Sequence, residues 1–122
     1  MAAGDNTYFE GDGKSVEVDL TSTVNTGQLA YVDSWLGIAN ESGDSGDSIT
    51  LSVDEREYQL TVPTALAVVK GEYIWIDVTD LTGHIPDSTA YYKATGSNRV
   101  RFFKATSDQD ANDIVTVKML QQ

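Results

Sequence analysis

Apolar and polar residues alternate along most of this chain. Across residues 15–20, Val16, Val18 and Leu20 fall on one side and Glu17 and Asp19 on the other. That two-residue period belongs to a strand with one face buried, because successive side chains point to opposite faces. The same period recurs at Ile49-Leu51-Val53, at Tyr58-Leu60-Val62 and at Val115-Val117-Met119. Residues 28–33 and 36–40 form two further short strands, with Trp35 on the link between them. Turn-forming residues separate the runs: Asn25-Thr26-Gly27, the Gly/Asp-rich residues 43–47, Lys70-Gly71, Thr82-Gly83, Pro86-Asp87 and Gly96-Ser97-Asn98. Only residues 64–69 could wind into a helical turn or two. Many short strands joined by such turns predict an all-β fold: a small single-domain β-barrel or β-sandwich over residues 15–122, with at most one short helix.

Three stretches depart from simple alternation. Residues 1–14 are rich in Gly, Asp, Glu and Asn around a lone Tyr8-Phe9 pair, a composition that offers little to pack. They predict a flexible N-terminal arm, either resting its rings on the β domain or ordering on a partner. In residues 73–78, Ile74, Ile76 and Val78 point one way, while Tyr73 and Trp75 point the other, so both faces carry large apolar groups. So small a domain has little of its own to cover a second apolar face, which favours self-association. Tyr73, Trp75 and Trp35 are the candidate subunit-interface residues, a core lid being the other reading of Trp35. The third stretch, residues 99–104 (Arg-Val-Arg-Phe-Phe-Lys), is the one basic run. Strict alternation there puts Val100 and Phe102 on one side and Arg99, Arg101 and Phe103 on the other. Its cations either offset the acidic surface around them or meet an acidic partner.

Charge narrows the partners. The 122 residues include 19 Asp and Glu against 8 Lys and Arg, a formal net charge of −11. Nucleic acids and anionic membranes recruit Lys and Arg, so neither is an expected partner. The chain has no Cys and a single His, His84, which removes disulfides, thiolate metal sites and cysteine nucleophiles. No apolar run is long enough for a spanning helix, and the first residues lack the pattern of a secretory signal.

Motifs with chemistry in them break down on inspection. Gly13-Lys14-Ser15 ends like a phosphate-binding loop, but Tyr8 stands where the motif's first Gly belongs and a strand follows where a helix is needed. Asp108, Asp110 and Asn112 have the opening spacing of a calcium loop, yet Asp113 replaces the sixth-position Gly and Met119 the twelfth-position Glu. The second acidic loop, with Glu41, Asp44 and Asp47, is simplest as a hydrated turn. His84 lies in a turn-rich loop with no nucleophile elbow anywhere in the chain, so it is expected on the surface. No enzyme activity, catalytic residue, metal site or cofactor is expected.

The order of features resembles the small capsid cement, or head decoration, proteins of tailed bacteriophages. The residues that carry the likeness are Val24-Asn-Thr-Gly27 through Val32, Leu36-Gly-Ile-Ala39 and the acidic hairpin of residues 43–51. Tyr58-Gln-Leu-Thr-Val-Pro63, the Ala-rich lead into Gly71-Glu-Tyr-Ile-Trp75, and the closing strand of residues 114–120 complete it. The pattern covers residues 24–120 and departs at Glu57-Tyr58 and in a longer loop at residues 86–98. The resemblance implies a protein on the outer capsid surface of the virion, bound to the major capsid protein of the expanded head as a homotrimer or a dimer. Tyr8, Phe9 and Lys14 of the arm would then grip the capsid. The rival function is a carbohydrate- or receptor-binding β-module that uses Trp35, Trp75 and the tyrosines as stacking platforms.

Overall fold

Alternation becomes strands in the computed structural model, which describes residues 15–120. The first sheet is built from β1 (Ser15–Asp19), β2 (Leu29–Val32), β3 (Trp35–Ala39) and β4 (Ser48–Ser52), in the order β1-β4-β3-β2. The second contains β5 (Glu57–Thr61), β6 (Tyr73–Asp77), β9 (Tyr91–Tyr92), β10 (Arg99–Ala105) and β11 (Ile114–Met119), in the order β5-β11-β10-β6-β9. A small hairpin, β7 (Leu81–Thr82) and β8 (Ile85–Pro86), stands beside β2. The named strands all pair antiparallel. The arm predicted at residues 1–14, with Tyr8, Phe9 and Lys14, lies outside the described residues.

The inward positions of both sheets meet in one core, which includes Val18, Leu36, Leu51, Ile74, Ile76, Phe103, Val115 and Val117. Each fully buried aliphatic or aromatic side chain of this kind contributes about 1.5–3 kcal/mol. Neither sheet closes on itself, so of barrel and sandwich the second is found. The five-stranded sheet nonetheless curls. Leu60 on edge strand β5 and Tyr91 on the opposite edge strand β9 line the same cavity of ≈370 Å³, together with Leu29, Ile38 and Ile85. Among the described residues the helical content is two 3-10 turns, Thr64–Leu66 and Ser88–Ala90, the first where a turn is predicted and the second inside the stretch read as a long loop. Ala67 closes the first with φ 49°.

Local chemistry explains the places where alternation misleads. The pairing of β10 with β6 slips between Arg101 and Phe103, a β-bulge. An extra residue in one strand resets which side its neighbours face. Phe102 and Phe103 are therefore both buried, which corrects the strict alternation that sets Phe103 beside Arg101; Val100, before the bulge and opposite Ile76, is 43% exposed. The link predicted around Trp35 is instead a two-residue hairpin tip, Asp33-Ser34, with φ of 51° and 68°, and Trp35 pairs with Val32 as the first residue of β3. Gly37 lies where β3 crowds β4: a Cβ there would stand 2.7 Å from the Ser52 carbonyl oxygen and 2.9 Å from the Leu51 Cβ.

His84 is half-buried rather than the surface residue expected. The Thr21 N–H donates to its Nε2 at 3.0 Å, which leaves Nδ1 as the protonated nitrogen facing the Tyr31 carbonyl oxygen at 3.2 Å. The Tyr31 N–H in turn donates to the His84 carbonyl oxygen at 2.8 Å. The imidazole thus ties the end of β1 and the β7–β8 hairpin to β2.

Candidate functional site

The outer face of the five-stranded sheet gathers residues that are far apart in sequence. On β6, Ile74 and Ile76 enter the core while Tyr73, Trp75 and Asp77 turn outward and stay half-buried. Antiparallel register sets Arg99 opposite Asp77, Arg101 opposite Trp75 and Lys104 opposite Tyr73. On the other flank of β6, Tyr92 of β9 stands opposite Trp75. Directly opposed residues share a sheet face, so these seven side chains form one surface.

Within it the cations lie on the rings. The Arg99 guanidinium carbon is 3.3 Å from the Tyr92 ring centroid. That of Arg101 is 4.4 Å from Tyr73 and 5.9 Å from Trp75. The Lys104 Nζ is 5.2 Å from Tyr73. Ring quadrupoles attract such cations by about 0.5–1 kcal/mol at exposed sites, which holds the long side chains flat over the aromatic surface. Lys118 of β11 extends the row, directly opposite Lys104. Like charges facing each other across strands repel. Arg99, Arg101, Lys104 and Lys118 are half of the eight Lys and Arg residues of the chain, and none of them forms an ion pair among the described residues. Two acids share this face, Asp77 opposite Arg99 and Glu57 opposite Lys118; hydrogen bonds from the Thr79 hydroxyl and N–H hold the Asp77 carboxyl below the ordinary range, and the Arg99 charge adds to this.

The opposite half of the molecule has the reverse character. Residues 15–53, which form the four-stranded sheet and its loops, contain Glu17, Asp19, Asp33, Glu41, Asp44 and Asp47, all exposed, and no Lys or Arg. Trp35 belongs to this half and packs, partly buried, against the core, so the structure unites Tyr73 and Trp75 but places Trp35 on the other sheet. A second polar cluster joins the two sheets. The Arg56 Nε donates to both Asp54 carboxylate oxygens at 2.7 and 2.8 Å, Arg56 Nη2 donates to Oδ2, and the Tyr58 hydroxyl donates to Oδ1 at 2.6 Å. The Arg56 hydrogen bonds hold the Asp54 carboxyl below its ordinary range against the effect of burial.

The acidic turn with calcium-like spacing spends its carboxylates internally. The Asp110 Oδ1 accepts from the Asn112 and Ile114 N–H groups, and Asp113 accepts from the Thr64 hydroxyl and the Gln109 amide. The Asp108 Oδ1 accepts from the Lys70 N–H at 2.8 Å. These contacts staple the turn to the segment after β5, a structural use of residues that the sequence leaves available for a cation.

The sequence shows the basic run and the outward aromatics separately. What it does not show is that β10 and β6 are neighbours in this register, since their pairing spans a long-range connection and a bulge. Comparison with curated proteins finds no match, and comparison with solved structures finds none either. Family models do find one: the phage cement protein family matches residues 2–120. With nearly its whole length inside that match and an all-β sandwich for its fold, this chain belongs to the phage cement protein family.

Proposed function

We propose that this cement protein, which decorates the outside of the phage capsid, is held there by two separate regions. One is the aromatic and basic face of the five-stranded sheet, with Tyr73 and Trp75 at its centre as subunit-interface residues. The other is the N-terminal segment, whose Tyr8, Phe9 and Lys14 engage the major capsid protein and hold it against its neighbours. The observation that carries the first part is the set of four cations that form no ion pair among the described residues, lying among and beside half-buried rings in a protein of net charge −11. Offsetting the acids of its own face, Asp77 and Glu57, does not require four cations. Burial against an acidic surface accounts for them, because each ion pair then gains from partial desolvation while the rings supply apolar area.

A sugar-binding surface accounts for the face less well. Carbohydrates stack on open ring faces, and here guanidinium groups already lie over Tyr92 and Tyr73. Repetition over a capsid lattice multiplies a modest contact by avidity, so the single interface need not be strong. The test is cosedimentation with expanded, undecorated capsids. Full-length protein is expected in the pellet at saturable stoichiometry, and protein lacking residues 1–14 is expected in the supernatant with an unchanged circular-dichroism spectrum. Undiminished pelleting of the truncated protein would remove the arm from the contact.

A further inference from the structure

We infer that the aromatic and basic face docks on the acidic four-stranded half of a second copy of this chain, in a head-to-tail contact. This rests on the reading that the face is a subunit interface, and adds to it what the face binds.

The argument is one of charge complementarity. The face presents Arg99, Arg101, Lys104 and Lys118, with Lys104 directly opposite Lys118. Two copies meeting face to face about a twofold axis would set these cations against one another as the rings became buried, and desolvation strengthens that repulsion. The isologous arrangement is therefore disfavoured by the same residues that make the surface sticky. The other half of the molecule answers the requirement: six exposed carboxylates between residues 15 and 53 and no cation among them. None of the six forms an ion pair among the described residues. Among the described residues each copy thus carries a face with four cations against two acids, Asp77 and Glu57, and on the other sheet a half with six acids and no cation, the pattern that makes a heterologous contact. Of the three aromatic interface candidates, Tyr73 and Trp75 belong to the cationic side of the contact, whereas Trp35 packs against the core of its own domain and is not needed for it.

Four proteins decide the matter by sedimentation velocity at low ionic strength: wild type, R101E/K104E, E17K/E41K, and the quadruple combination, which keeps the wild-type net charge. Glu17 and Glu41 are chosen because both are exposed and neither makes a side-chain hydrogen bond that holds a turn. Wild type is expected to associate reversibly, with a constant that falls at least about tenfold as salt rises through the physiological range. Each double variant is expected to lose association at least about tenfold, and the quadruple variant to regain it. A face-to-face dimer gives a different pattern, with E17K/E41K unaffected and the quadruple variant still dissociated. That pattern overturns the inference, as does a wild type that stays monomeric at every concentration. Thermal melts of the four proteins confirm that each is folded. Pelleting with capsids is measured on the same samples, so a failure of self-association with capsid binding intact is distinguished from a failure of decoration itself.

Discussion

The Tyr58 hydroxyl donates a 2.6 Å hydrogen bond to the Asp54 Oδ1, and Asp54 is only 8% exposed. This bond sits where the chain leaves the four-stranded sheet and enters the five-stranded one, between the end of β4 and the first residues of β5. Arg56 completes the set from its more exposed position, so the buried carboxylate has its charge matched and its oxygens occupied. Buried polar groups are tolerated when satisfied in this way and costly when not.

Removing the phenol oxygen isolates one part of that network. The Tyr58→Phe variant keeps the ring and loses the donor to a carboxylate, and it is expected to be destabilised by about 1–2 kcal/mol in urea unfolding. A loss below a few tenths of a kcal/mol would mean that the hydroxyl is no better off there than in water.

The same cluster sets a pH dependence. Hydrogen bonds from Arg56 hold the Asp54 carboxyl below its ordinary 3.8, so the folded state binds this proton less readily than the unfolded chain. Its stabilisation is therefore whole above the ordinary carboxylate range and is lost as pH falls through the depressed folded value. Tyr58 runs the other way: burial, and then the bond to Asp54, raise its pKa well above the ordinary 10.0. Its contribution is complete below pH 10 and declines as pH rises beyond that point. Stability measured from pH 2 to 6 should fall less steeply in Asp54→Asn than in wild type, and superimposable acid limbs would refute the assignment. Burial raises Tyr91 as well, so spectrophotometric titration should show two late-ionising tyrosines in wild type and one in Tyr58→Phe.

The bulge in β10 makes a prediction opposite to that of plain alternation. Phe103 is fully buried and Val100 is 43% exposed. Phe103→Ala should cost about 3–5 kcal/mol through lost contacts and a residual cavity, whereas Val100→Ala should cost about 0.5 kcal/mol or less. Were β10 regular, Phe103 would share the outer face with Arg101 and its truncation would cost as little as that of Val100, so the difference between the two values reads the bulge directly.

Crowding at Gly37 can be tested by a single methyl group. Its Cβ would meet the Ser52 oxygen and the Leu51 Cβ of β4, and a methyl of Val53 just beyond it, at 2.7–2.9 Å, closer than van der Waals contact allows. The relief has to come from separating β3 from β4, because a carbonyl oxygen in a sheet cannot swing aside. Gly37→Ala is expected to lose about 1–3 kcal/mol, by the same physics as overpacking a core. A melting temperature equal to wild type would show that the two strands yield freely.

How much of this was legible beforehand follows from the range of each signal. β1, β4, β5 and β11 announce themselves through Val16-Val18, Ile49-Leu51, Tyr58-Leu60 and Val115-Val117, because period-two alternation is local. Long-range facts are not written that way. The sequence shows Arg101 and Trp75 each pointing away from the core side, but their adjacency depends on which strands pair. The bulge that buries Phe103 has no Gly or Pro to mark it. Asp54 looks like any exposed acid between strands until Tyr58 and Arg56 fold back on it. The short β9 strand, which brings Tyr92 to Arg99, hides in a segment whose Pro, Asp, Ser and Gly content signals only loop. The order of weak motifs nevertheless pointed to the family that the chain belongs to, since it summed evidence over residues 24–120 where each piece alone was common β-protein vocabulary.

The Asp33-Ser34 tip shows the same limit and provides one more test. Two-residue hairpin turns with both central φ angles positive match the twist of the flanking strands, and they favour Asn-Gly because other residues suffer Cβ contacts there. Here the angles are 51° and 68° without a glycine. Asp33 has a reason to be retained: its Oδ2 accepts the Asp19 N–H at 3.1 Å and so covers an outward-facing donor on the edge strand β1. Ser34 makes no side-chain hydrogen bond among the described residues, and its position is exposed. Ser34→Gly should therefore relieve about 1 kcal/mol of left-handed strain, less whatever the added freedom of the unfolded chain takes back. The expected result is a melting temperature raised by about 2–4 °C. Asp33→Gly, which relieves the same strain but uncaps Asp19, should not gain, and equal stabilisation by both substitutions would show that the Asp33 bond contributes nothing.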